Sequence, residues 1–168
     1  MNIHIKLPRQ LFGQMQHDLS RSHPIAAERV GFLYVRPGTG EANSLLVLGT
    51  DYAPVADEHY LEDTGVGARI SGDAIRVAMQ RSLDTGEGVF HVHRHDHRGR
   101  PWFSRVDQVE LRRLVPSFQN VGPKSVHGAL LLSLTEAAAL AWLPGHREPI
   151  GGMRISLIGQ PMGLFGRW

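Results

Sequence analysis

Apolar and polar residues alternate from Asn2 to Leu7 (Asn-Ile-His-Ile-Lys-Leu). That is the two-residue period of a strand with one buried face, and with Pro8 closing it the pattern predicts an edge strand. The period then lengthens: Leu11, Phe12, Met15 and Leu19 recur at helical spacing and predict an amphipathic helix over residues 9–22, which Pro24 ends. Residues 27–36 and 44–52 are nearly continuous in apolar character. They predict buried strands joined as a hairpin through Pro37-Gly38-Thr39-Gly40. Glu28 begins the first of these strands, and for a lone Glu in that place a solvated side chain is the ordinary reading.

The stretch 52–68 reads as loop with a short strand near His59-Tyr60-Leu61. Residues 71–83 predict a helix capped by Ser71 with Asp73 in its first turn. A turn over 84–88 leads into a strand over 88–93. After it come a helix over 104–118, strands over 125–133 and 137–143, a turn over 144–149 and a last strand over 152–158. The order β-α-β-β-α-β-α-β-β-β predicts one α/β domain, residues 1–168, with a mixed sheet flanked by helices.

Composition narrows the picture. In 168 residues, a hydrophobic fraction of 42% and a charged fraction of 20% are enough for a substantial core and those of a globular chain. No apolar run approaches the roughly 18 residues of a membrane span, and Met1 to Lys6 lacks the basic start and long apolar stretch of a signal peptide. A cytoplasmic location with no membrane partner is therefore expected. Cysteine is absent, which excludes disulfides, thiolate metal sites and a cysteine nucleophile. The formal charge of +2 is spread along the chain and predicts no nucleic-acid partner.

Chemistry concentrates at the end of the strand over 88–93. His91 and His93 are two apart, so they share a face, with Cα atoms about 7 Å apart from the strand rise. Two imidazoles there can converge on one metal, and Asp107 from the following helix would add an oxygen ligand. Two His, one carboxylate and a free position describe a catalytic zinc. Each piece also has a plain reading. His91-Val92-His93 is equally a pair of ordinary surface or core residues, and Ser104-x-x-Asp107 is a common helix start. For Ser104-x-x-Asp107 the capping and metal readings are compatible, because the hydroxyl can cap while the carboxylate faces a metal. The His-x-His-x-Asp-His pattern of the metallo-β-lactamase fold misses the register of His91 to His97 by one residue, and that fold needs a longer chain.

Taken jointly, Glu28 in Glu28-Arg29-Val30-Gly31-Phe32-Leu33, then His91-Val92-His93, then Ser104-x-x-Asp107 resemble the JAMM motif of the JAB/MPN metalloprotease family. The resemblance covers nearly the whole chain, including element order, and is to the single-domain bacterial type. It implies the MPN/JAB-like (cytidine-deaminase-like) architecture. It also implies zinc held by His91, His93 and Asp107, with Glu28 as general base and Ser104 supporting the oxyanion. The implied activity is hydrolysis of the C-terminal peptide or isopeptide bond of a ubiquitin-like protein by a zinc-activated water. The implied partners are that protein or its conjugates, with an E1-like adenylating enzyme in the same pathway.

The chain departs from the family at Val92, usually Ser or Thr, at Arg94, usually Pro, and in a longer spacer, Arg94 to Phe103. The expectation is that the spacer bulges outward; His95 and His97 are either extra ligands or, as the favoured reading, solvated side chains. Trp102 and Phe103 either touch a partner or pack the loop onto the domain; Leu164, Phe165 and Trp168 pose the same choice at the C-terminus. Two alternatives remain: a non-catalytic MPN scaffold, although such proteins usually lack a ligand that this chain keeps, and a zinc hydrolase of small amide conjugates of a sulfur-carrier protein.

Overall fold

Ile3, Ile5 and Leu7 place the buried face of β1 (Asn2–Pro8) against the helix that follows it directly, α1 (Arg9–Leu19). Leu11, Met15 and Leu19 recur every four residues on α1 and are buried in the same cluster, each stabilising the fold by about 1.5–3 kcal/mol. The computed structural model describes residues 2–40 and 44–159; Leu164, Phe165 and Trp168 lie outside them. The helix ends at Leu19, short of the expected residue 22. The Asp18 carboxylate there accepts from the Tyr52 hydroxyl and pairs with Arg21, and the Arg21 amide turns back to the Asp18 carbonyl.

β2 (Val30–Thr39) and β3 (Ser44–Pro54) form the expected antiparallel hairpin, with a register shift between Tyr34 and Val35. β2 starts at Val30 rather than residue 27 and runs through Pro37 and Gly38, where a turn was expected. Its other neighbour stops pairing at Val35, so beyond that point β2 is bonded on one side only and a proline fits. Next come a short 3-10 turn (Asp57–His59), the two-stranded β4 (Tyr60–Leu61) and β5 (Arg69–Ile70), and α2 (Gly72–Thr85). Ser71 caps α2, accepting from the Ala74 amide, and Gly86 ends it at φ 71°. Then follow β6 (Gly88–Arg94), α3 (Arg105–Val121), β7 (His127–Leu132), β8 (Ala137–Trp142) and β9 (Arg154–Ile158).

The large sheet has the order β8-β7-β6-β2-β3-β1-β9. It is mixed: β1 is parallel to β3 and β9, β6 is parallel to β7, and the remaining pairs are antiparallel. β1 is thus an interior strand, not the expected edge. Alternation reports which face is buried, not how many neighbours a strand has.

Alternation along the central strands divides the core. Leu33 and Val35 of β2, with Phe90 and Val92 of β6, face α1. Val30, Phe32 and Tyr34, with Val89 of β6, face the other way onto α2 and α3, meeting Ala74, Ala78 and Phe118. By the same parity His91 and His93 lie on the α2/α3 face. Among the described residues no helix is long and apolar enough to cross a membrane.

Candidate metal centre

β6 is hydrogen-bonded on both sides, so its histidines sit on fixed backbone. His91 lies opposite Phe32 on β2 and Ala129 on β7; His93 lies opposite Val30 and Leu131. The His91 ring packs edge-on against Phe32, and the His91 and His93 ring centres are 5.6 Å apart. Burial, helped by the neighbouring His93, pushes the pKa of His91 down to about 3, so it is a neutral imidazole at ordinary pH and carries a free lone pair.

Asp107 comes to the same place from the first turn of α3. Ser104 and Asp107 form a capping box: the Asp107 amide donates to Ser104 Oγ (3.1 Å), and the Ser104 amide donates to Asp107 Oδ2 (2.7 Å). The cap uses one carboxylate oxygen. The other, Oδ1, stands 3.6 Å from His93 Nε2, an ion-pair distance too long for a direct hydrogen bond. Burial works to raise the Asp107 pKa, but the His93 ring, the Ser104 hydroxyl and the Ser104 amide outweigh it and hold the carboxyl well below the usual range. Ser104 Oγ accepts in the cap, and its hydroxyl also helps to stabilise the Asp107 carboxylate.

Glu28 lies two residues ahead of β2, not on it. Its amide donates to the Gly67 carbonyl (2.9 Å), and its carboxylate fills the space a side chain at residue 67 would take, 2.6 Å from where a Cβ would lie. The next residue, the buried Arg29, anchors the approach by donating to the carbonyls of Arg21 and Ser22 and to Asp57. Glu28 Oε1 ends 3.8 Å from His95 Nε2.

His95 is a correction to the sequence reading. Its side chain is only 22% exposed, and its amide donates to the Leu132 carbonyl. That bond carries the β6–β7 pairing one step past the strand, so His95 keeps the parity of His91 and His93. The signal was present in the sequence as a third histidine at the same two-residue interval. Among the described residues, the donor atoms of Glu28, His93 and His95 all lie within 4.8 Å of one another, and this group could hold a metal ion. His91 and Asp107, the other expected ligands, flank it through His93.

A further observation tests whether these residues fit a metal. His93 is 3% exposed, yet among the described residues both of its ring nitrogens lack a hydrogen-bond partner, and so does Nδ1 of His91. Buried nitrogens without partners are costly, and a missing ion is one standard reason for them. The donor set of imidazoles and carboxylates suits zinc. The residues fit.

The longer spacer does not bulge outward. The Leu134 amide donates to the His97 carbonyl, the Gly99 amide donates to Thr135 Oγ1, and Ser133 Oγ donates to the Gly99 carbonyl. Arg94 points to the α1 side and reaches Gln16, while Val92 is wholly buried in the core there. Phe103 packs between His93 and the cluster of Leu111, Val115, Ala129 and Trp142. Trp102 remains 68% exposed, its ring stacked on His97. Together Trp102 and Phe103 line a cleft of about 260 Å³ with Gln108, Arg112, Leu140 and Trp142. No family model and no curated protein matches this sequence.

Proposed function

We propose that this chain is a zinc-dependent peptidase or isopeptidase of the JAMM type, with an MPN-like architecture, acting at the C-terminal tail of a ubiquitin-like protein. The observation that carries the reading is the division of labour at Asp107: one oxygen caps α3 while the other faces His93, with the Glu28 carboxylate close to the same histidine. His91, His93 and Asp107 would hold the ion, and zinc so held supplies Lewis-acid polarisation of a carbonyl and acidifies water.

The remaining chemistry belongs to side chains. Glu28 takes a proton from the attacking water and returns it to the leaving amine, a role that needs a carboxylate within hydrogen-bond reach of both. Ser104 turns its hydroxyl proton to the oxyanion; loss of one such donor typically lowers the rate by about 10²–10³. Phe103 closes one side of His93 to solvent. Trp102 and the cleft beside it would receive apolar surface of the ubiquitin-like partner.

The test is metal content together with hydrolysis of a ubiquitin-like fusion. The reading expects about one zinc per chain and cleavage at the fusion junction. It expects both lost in His91→Ala/His93→Ala, and cleavage alone lost in Glu28→Ala. A chain that takes up no metal when zinc is supplied, and cleaves nothing, would be better described as a non-catalytic scaffold.

A further inference from the structure

The group Glu28, His93 and His95 is not the ligand set proposed above: it shares one residue with it, draws on the carboxylate proposed as the base, and adds a histidine from the spacer. Around a tetrahedral zinc with bonds of about 2.0–2.2 Å, ligand atoms stand roughly 3.4 Å apart. Asp107 Oδ1 and His93 Nε2 are 3.6 Å apart on one side; Glu28 Oε1 and His95 Nε2 are 3.8 Å apart on the other. Both gaps are too wide for a hydrogen bond and close to the spacing a cation imposes. Between them His93 is buried, with neither nitrogen satisfied among the described residues. A neutral imidazole has one lone pair to give, because its other nitrogen carries the proton.

We propose that Glu28, His93 and His95 form a second seat for a zinc-class cation, alternative to the seat of His91, His93 and Asp107 and excluded by it because both need His93. The inference builds on the proposed function in taking that other seat as the working one. An ion in the second seat has the Glu28 carboxylate as a ligand, so the base is withheld and the loaded protein is latent. Moving the ion across His93 to Asp107 frees Glu28. The spacer thereby has a role that its length alone does not reveal: it carries the histidine that holds the latent form.

The test is cobalt(II) absorption and zinc affinity, by competition with a chromophoric chelator, on the full chain and on single variants. His95→Ala and the closer-sized His95→Gln are each expected to alter the cobalt spectrum and weaken zinc by about tenfold or more, while still binding one equivalent through the other seat. Asp107→Ala is expected to keep one equivalent with a spectrum close to that of the unaltered chain, and His97→Ala to match the unaltered chain. Unchanged spectrum and affinity in both His95 variants, with binding lost in Asp107→Ala, would overturn the second seat and leave the proposed function standing. Binding unaltered in His91→Ala and Asp107→Ala but lost in Glu28→Gln would sink the proposed function and keep the second seat. No cobalt or zinc bound by any form would overturn both.

Discussion

Gly67 shows how a residue with no side chain can set the position of one that has chemistry. Its carbonyl fixes the Glu28 amide and its bare Cα leaves room for the Glu28 carboxylate. Gly67→Ala would push that carboxylate aside, and because the group is the end of a flexible side chain the fold should absorb the change. Hydrolysis is expected to fall by about 10²-fold, a typical lower figure for loss of a positioned proton-transfer group, with zinc stoichiometry and melting temperature little altered. A comparable fall in melting temperature would show that the glycine serves the fold instead. At this scale His91 and His93 were legible because a two-residue interval on a strand is a geometric statement. The place of His95 was not, since it depends on a bond to Leu132 beyond the end of the strand. The setting of Glu28 was misjudged as well: its partner Gly67 is 39 residues away in the chain, and no local pattern joins them.

Element boundaries followed the same logic. α2 starts where Ser71 announces it and α3 where Ser104 does, because capping is local chemistry. The end of α1 and the start of β2 depend on Tyr52, Asp18, Arg29 and Asp57, which are remote from one another, and both were misplaced by about three residues. Ser104 gives the element-scale prediction, because it serves the helix and the proposed reaction at once. Ser104→Ala removes the acceptor for the Asp107 amide, at a cost of about 1 kcal/mol. It also removes the proposed oxyanion donor, lowering hydrolysis by about 10²–10³. Urea unfolding and initial rates measured on the same preparation separate the two. A stability loss with no loss of rate would confine Ser104 to capping.

At the scale of the whole molecule, two histidines held neutral by their surroundings tie stability to pH. His91 is pushed down to about 3, mainly by burial. His127 is also lowered by burial; its Nδ1 accepts from the Val89 amide while Nε2 donates to the Gly122 carbonyl. In the unfolded chain both titrate near 6.5. Below that value the unfolded state takes up protons that the folded state refuses, so stability falls as pH drops from about 6.5 toward 3. Metal-free protein is expected to unfold at lower urea at pH 5 than at pH 7.5, with most of the pH dependence retained in Asp107→Ala and less of it in His127→Gln. A flat profile between those pH values would mean that neither histidine is held neutral. The sheet order was beyond the sequence for a related reason: parity assigns faces, while the insertion of β1 between β3 and β9 is decided by packing across the full width of the sheet.

The spacer over residues 94–103 has a consequence of a different kind. Long surface connections are where proteases cut and where evolution adds or trims residues with little penalty. This one is tied to the β7–β8 turn through His97, at both the amide and the carbonyl of Gly99, and through Phe103 to the core. Its length is therefore not slack. Shortening it would untie the neighbouring turn as well, so the two segments are bound to change together in any lineage that keeps this arrangement.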